Sequence, residues 1–281
     1  MIIDTHVHFW DPSRKDDILL LRREPSMVKR FYPDDLKPLL LSIKANRCIV
    51  IQSAPHPSET DNLIEITKDL NWIHGIVGWA DLEASNISEI LSQMKSKGPI
   101  VGVRVMLHRL NDNEWINRPS VEKGLSALID ANLSLDLITE TRHITAVRKA
   151  LLKFPNLRAI INHGATPPIA ANEFEPWASE LKQLSNQTMA WCKFSGLLEV
   201  SGKNNTESHV LPYAKHLFQT FGPNRLLFAS NWPACNLAGG YLNWWNSVLS
   251  IFDILKVNSA DVKRIIGGNA LEAYPNKLKK F

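Results

Sequence analysis

The run Asp4-Thr5-His6-Val7-His8 sets a carboxylate and two imidazoles at alternate positions. On a β-strand alternate side chains share a face, so this spacing brings the three groups together. Ile2, Ile3, Val7 and Phe9 give the segment the apolar, β-branched character of a buried strand. Burying such polar groups is costly unless they are paired or used. Imidazole nitrogen and carboxylate oxygen suit zinc and its neighbours, which makes His6 and His8 candidate ligands of a divalent metal. The same set suits direct binding of an anionic or hydroxylated substrate equally well. Other chemically capable residues close the later apolar runs: Gln52, Trp79, Arg104, Asp136, His163, Lys193 and Asn231.

The elements that must position these residues alternate regularly. Strands are expected over residues 1–10, 48–53, 73–79, 100–107, 133–139, 157–162, 189–194 and 226–230, from short apolar runs bounded by turn residues. Helical spacing of apolar residues falls between them, over 34–45 with Asp34 as cap, 58–70, 85–97, 119–131, 141–153, 173–184 and 207–221. Two more helices, 241–255 and 259–273, follow the last strand. Eight strands with intervening helices predict one (β/α)₈ barrel over residues 1–281 with extra C-terminal helices. A doubly wound sheet would need a glycine-rich turn after the first strand, and Phe9-Trp10-Asp11-Pro12 is nothing like one. In a barrel, groups at the C-terminal strand ends converge on one face, and polar residues at nearly every end read as a site. Trp10, Trp79, Trp115 and Trp232 are candidate walls. The polar stretches 11–33 and 111–118 are expected to cover the site and control substrate choice.

Composition excludes several classes. A net charge of +4 with scattered Lys and Arg, apart from Lys277, Lys279 and Lys280, is too weak a basic bias for nucleic acid. No apolar run approaches the ~20 residues of a membrane span. Cys48, Cys192 and Cys235 are far apart and odd in number, which argues against a disulfide framework. With no basic-then-apolar leader at Met1, a cytoplasmic setting is expected. A small-molecule substrate is the expected partner, and a homo-oligomer is left open.

The opening Ile3-Asp4-Thr5-His6-Val7-His8-Phe9-Trp10-Asp11-Pro12 resembles that of the amidohydrolase-related metal-dependent hydrolases, in the branch that includes sugar lactonases. The resemblance continues in order through Gly75 to Leu82, Gly102-Val103-Arg104, Arg118-Pro119, Leu135-Asp136-Leu137, Asn162-His163-Gly164, Lys193 to Leu197 and Phe221 to Pro233, and ends at Asn269 to Tyr274. It implies a distorted (β/α)₈ barrel that opens a ring ester, an aldonolactone or a related carboxylated lactone. It further implies that His6, His8 and His163 meet the substrate carbonyl or a weakly held divalent metal such as zinc, with no metal strictly required. Arg104 and Lys193 would bond substrate oxygens, with Gln52, Asp136, Trp10 and Trp79 beside them.

Two departures bear on chemistry. The family's eighth strand usually ends Ser-Asp-Trp-Pro, with the aspartate taking the proton from attacking water, whereas this chain has Ser230-Asn231-Trp232-Pro233. An amide cannot be a general base near neutral pH. The family's His-x-Gly-Lys-Pro is here His163-Gly164-Ala165-Thr166-Pro167, without the lysine. Asn231 fits a natural variant in which His163 or His6 activates water, a substitution that traps ligand, or a relative that only binds. A metal-dependent non-oxidative decarboxylase of the same superfamily is the rival enzyme, and it would want a carboxylate where Asn231 stands.

Overall fold

The apolar runs form eight parallel strands that pair in strict chain order. They are β1 Ile3–Val7, β2 Arg47–Ile51, β3 Ile73–Gly78, β4 Ile100–Met106, β5 Ser134–Ile138, β6 Ala159–Ile161, β7 Trp191–Phe194 and β8 Leu226–Phe228. The computed structural model describes residues 1–14, 18, 24–202 and 206–276. Parts of the 11–33 stretch and the lysines at 277, 279 and 280 lie outside these residues.

The seam between β8 and β1 is looser than the others. It is bridged by Thr5 Oγ1 donating to the Phe228 carbonyl (2.8 Å), Asn231 N to the His6 carbonyl (2.9 Å) and His8 N to the Trp232 carbonyl (2.8 Å). The sheet therefore closes into a distorted (β/α)₈ barrel, with helices such as Pro57–Thr67, Pro119–Asp130 and Thr141–Lys153 packing apolar faces around it. No helix among the described residues is long and apolar enough to cross a membrane.

Local chemistry shifts three boundaries. The first long helix is Pro33–Ser42, and Asp35 rather than Asp34 serves its start, accepting from the Tyr32 backbone N–H at 2.8 Å. The expected 173–184 helix begins at Trp177, where the indole Nε1 donates to the Gly164 carbonyl (2.8 Å) and ties it to the turn after β6. The expected 259–273 helix is split into Ser259–Lys263 and Asn269–Ala273 by a wider π-turn over Arg264–Gly268.

That last helical segment closes the bottom of the barrel. Ala270, Ala273 and Tyr274 pack with Ile3, Ile49, Ile51, Val77, Val101, Ile160 and Leu227 in an apolar cluster separate from the outer core. Ser134 Oγ donates to the Ala273 carbonyl (2.5 Å), and His74 Nε2 to the Tyr274 carbonyl (3.0 Å). The Tyr274 ring then runs up the barrel, and its hydroxyl donates to Asp136 Oδ1 at 2.7 Å. Removing a donor from a buried carboxylate costs about 1–3 kcal/mol. Tyr274→Phe is therefore expected to lower the melting temperature, by roughly 2–4 °C per kcal/mol for a chain of this size class. Circular dichroism melts of the two proteins check this, and superimposable curves would show that the bond contributes nothing.

Candidate active site

The C-terminal strand ends carry a buried polar floor whose centre is the Lys193–Asp136 ion pair, at 2.5 Å with both side chains fully buried. Asp136 Oδ2 also accepts from Asn162 Nδ2 (2.9 Å), so both carboxylate oxygens are occupied. Lys193 Nζ faces His6 Nδ1 at 3.1 Å and stands 5.4 Å from the Tyr274 ring centroid. An ammonium donates, so His6 Nδ1 accepts and its proton sits on Nε2. That Nε2 lies 3.1 Å from His8 Nε2, while His8 Nδ1 donates to the Ile51 carbonyl at 2.7 Å. Every nitrogen of the two rings is thus engaged in one chain running from Lys193 to Ile51.

Arg104 crosses this chain. Its Nη2 donates to the Gln52 carbonyl, Gln52 Nε2 returns a bond to the Arg104 carbonyl (3.2 Å), and Nη1 lies 3.4 Å from His6 Nε2. Arg104 pairs in register with Asp136 on the neighbouring strand, and Met106 with Ile138 two residues further up. The upward path along β4 and β5 therefore passes from charged to apolar. Asp4 supports the floor from below, its Oδ1 accepting from the backbone N–H groups of His6 (3.1 Å) and Ser230 (2.9 Å).

The turn after β6 is made of left-handed residues, with φ of 51° at His163, 60° at Gly164 and Ala165, and 49° at Thr166. His163 Nδ1 bonds Ser195 Oγ at 2.8 Å, and the ring stands 4.5 Å centroid to centroid from His6. Gly196 makes this possible, because a Cβ there would lie 2.9 Å from His163 Cβ. Asn231 is also left-handed, at φ 60°, and its Nδ2 donates to Glu199 Oε1 at 3.0 Å. Glu199 lies on the short helix Leu197–Val200 just after β7.

Above the floor is a cavity of about 320 Å³ lined by His8, Trp10, Arg104, His108, Glu140, His163 and Asn231 together with the apolar Ile18, Met106, Ile138 and Val200. His6, Gln52, Asp136 and Lys193 do not line it: they lie beneath and hold the lining residues in place. Trp10 is a wall, its indole donating to the Lys29 carbonyl (3.1 Å) and its ring edge-on to Phe31 at 5.4 Å. Trp79 and Trp115 instead border a neighbouring groove with Asp81 and Arg109, and Trp232 is buried against Phe9 and Phe31. Of the 111–118 stretch only Trp115 lines that groove, and Arg118 beside it pairs with Asp112 (2.8 Å) and the groove residue Glu83 (3.5 Å). Sequence reasoning missed Ser195, Tyr274 and Glu199. The signal for Glu199 was its place in a βα loop five residues past Phe194, on the catalytic face of any such barrel.

Burial dominates the electrostatics. It holds His6, His8 and His163 well below the usual imidazole range, and the charges of Lys193 and Arg104 push the same way. It lowers Lys193 to about 8 against the pull of Asp136, and Arg104 to about 10 against Glu59 and Asp136. Glu59 is raised to about 7 by burial, although Ser53 and the Ala54 backbone donate to it. Burial likewise raises Glu199 to about 7, opposed by the Asn231 bond.

This donor set does not fit a divalent cation. The His6 lone pair faces an ammonium, the His8 lone pair receives the His6 proton, and a guanidinium stands beside both. Among the described residues no three His, Cys, Asp or Glu converge as a ligand set.

Comparison with known proteins agrees with this architecture. An amidohydrolase family model matches residues 3–275. An L-fucono-1,5-lactonase of Burkholderia ambifaria is 30% identical over 278 residues, covering 97% of this chain and 94% of that protein. An L-fucono-1,5-lactonase of Burkholderia multivorans is 24% identical over 286 residues, covering 97% of this chain and 95% of that protein. A crystal structure of an amidohydrolase from Burkholderia multivorans with bound zinc superposes with a TM-score of 0.91 at 24% identity, covering 98% of this chain and 99% of that one.

Because the ion pair is enclosed, breaking one side strands a charge. Lys193→Met is expected to cost about 3–5 kcal/mol in unfolding free energy. Lys193→Met combined with Asp136→Asn should recover much of it, since the orphaned charge is gone. Denaturant unfolding of the two single variants and the double variant checks this, and strictly additive losses would count against the coupling.

Proposed function

With the premise that this chain belongs to the amidohydrolase family, we propose that it hydrolyses the lactone of a sugar acid, and in particular of a 6-deoxy sugar acid. One observation carries the reading. A cavity of about 320 Å³ combines Arg104 and His163 with the apolar side chains of Met106, Ile138 and Val200, and His108 and Glu140 also line it. That volume falls at the low end of small-molecule sites and suits a single ring. L-Fuconate, the sugar acid in the names of the lactonase relatives, carries a methyl group where most aldonates carry a hydroxymethyl, and the apolar wall suits a methyl.

The chemistry follows from the lining. The Arg104 guanidinium is nearly fully buried and fixed by the Gln52 carbonyl, so it stabilises charge developing on the carbonyl oxygen without reorganising. His163, neutral and held by Ser195, offers Nε2 to the same oxygen. His8 is tied at both nitrogens and presents its ring as a wall. Lys193, Asp136 and Gln52 act from beneath, and the Lys193 charge adds to the positive potential under the carbonyl. Water attacks from the Asn231 side. No step requires a metal, because the histidine pair is committed to hydrogen bonds. Decarboxylation is disfavoured for the same reason, since it would rely on a metal site completed by a carboxylate where Asn231 stands. A cytoplasmic enzyme is consistent with three buried free thiols.

Proton release from a panel of aldonolactones tests the reading. Lactones of 6-deoxy acids should be preferred over their 6-hydroxy counterparts, within the ~10²-fold that an apolar pocket can impose against an added hydroxyl. Arg104→Gln should lower kcat about 10²–10³-fold, as expected for loss of an oxyanion donor. A chelator should leave the rate unchanged, and its abolition by chelation with recovery on added zinc would overturn the metal-free mechanism. Absence of turnover across the panel would overturn the lactonase reading itself.

A further inference from the structure

We infer that the proton acceptor for the attacking water is Glu199, so that the base of this site has moved from the end of β8 to the loop after β7. The inference rests on the lactonase reading and adds the group that reading lacks. Asn231 lines the cavity at the strand end but cannot ionise. Its Nδ2 donates at 3.0 Å to Glu199 Oε1, which sets a half-buried carboxylate directly behind the lining amide and next to the lining residue Val200, one hydrogen bond from the cavity. The backbone N–H of Asn231 is fixed to the His6 carbonyl, and Trp244 Nε1 fixes the Ala229 carbonyl (2.8 Å) just before it, so the amide is held in place. Asn231 then orients the water and keeps the carboxylate turned toward it.

The alternative bases are placed less well. His6 is fully buried and bonded at both nitrogens, and both nitrogens of His8 are taken. His163 reaches the cavity, but burial and two nearby cations make it a poor proton acceptor. Glu140 lines the cavity too, but its carboxylate is held by Arg142 at 2.9 Å. Asp4 and Asp136 lie below the floor and do not line the cavity, Asp4 Oδ1 being held by backbone N–H groups and both Asp136 oxygens by Lys193, Asn162 and Tyr274. Glu199 has an affinity for protons near the working pH, as a base should. Its neighbours leave that affinity to burial. The Cys235 thiol on the turn after β8 senses the Glu199 charge, while on the helix Glu207–Arg225 Glu207 accepts from Ser250 and His209 faces the Ile169 carbonyl. No charged side chain among the described residues contributes to its shift.

The water oxygen bonds to the lactone carbonyl carbon while one of its protons passes to Glu199, giving a tetrahedral oxyanion beside Arg104 and His163. The oxyanion re-forms the carbonyl and expels the ring oxygen, which takes the proton back from Glu199 as a hydroxyl. Lactone and water become a hydroxy acid, and its ionisation releases the proton that is measured.

Glu199→Gln preserves shape and the bond to Asn231 and removes only the charge. It should lower kcat about 10²–10⁴-fold with little change in KM and an unaltered melting temperature. Wild-type kcat/KM should rise with pH through an acid limb near 7, where Glu199 ionises, and the variant should lose that limb. Glu199→Asp should keep the limb at reduced kcat. Placing a carboxylate back on the strand, Asn231→Asp in the Glu199→Gln background, should restore turnover. Wild-type kcat and an intact acid limb in Glu199→Gln would overturn the inference while leaving the lactonase reading standing. So would failure of Asn231→Asp to restore any activity, which would mark Glu199 as structural. A wild-type protein inactive on every lactone would sink the reading and the inference with it.

Discussion

The enclosed contact between Lys193 and Asp136 organises the catalytic face. A buried ammonium and carboxylate are each expensive, and neither is tolerated without the other. Once paired, each has bonding capacity left over, and the structure spends it in opposite directions. Asp136 takes a hydroxyl from Tyr274 below, which ties the closing helix to the barrel interior. Lys193 points upward to His6, which fixes the tautomer of that ring and through it the orientation of His8. The bottom plug and the roof of the floor are thus joined through one ion pair.

The direction of those bonds decides what the histidines can do. An H-x-H pair at a strand end is compatible with a metal when both lone pairs face an empty space. Here one lone pair faces an ammonium and the other accepts a ring N–H, while burial keeps both rings neutral. The positive charge that a metal would contribute is already present as Lys193 and Arg104, of which only Arg104 reaches the cavity. Burial weakens the hold of both cations on their protons, yet Arg104 at about 10 stays charged at neutral pH. A fixed, buried guanidinium is a strong stabiliser of an oxyanion.

Much of this was legible in the residues. The eight strands follow from short apolar runs, and their order from the repeated helical spacing between them. Boundaries slipped where tertiary bonds outweighed local preference: Trp177 starts its helix where its indole reaches Gly164, four residues after the stretch with helical spacing begins. The strand-end polar residues were also legible as a set, but not their layers. Gln52, Asp136 and Lys193 lie in or just after the C-terminal halves of their strands as Arg104 does, and the sequence alone cannot tell which of them faces the cavity and which lies beneath. That depends on side-chain pairing across the barrel, as between Lys193 and Asp136. Trp79, just past the end of β3, borders the neighbouring groove instead. Glu199 was hidden differently, since its importance arises only from contact with Asn231, 32 residues away.

The exchange of a strand-end aspartate for Asn231 becomes intelligible in that light. Two carboxylates within hydrogen-bond distance in a buried wall would repel, and one would have to stay protonated. An amide removes the conflict, because its Nδ2 donates to the remaining carboxylate while its oxygen stays free to hold water. A chain with Glu199 after β7 therefore gains from an asparagine after β8, and one without that glutamate would lose its base by the same change. The two positions form a single proton-handling unit, in which the strand supplies rigidity and the loop supplies the charge.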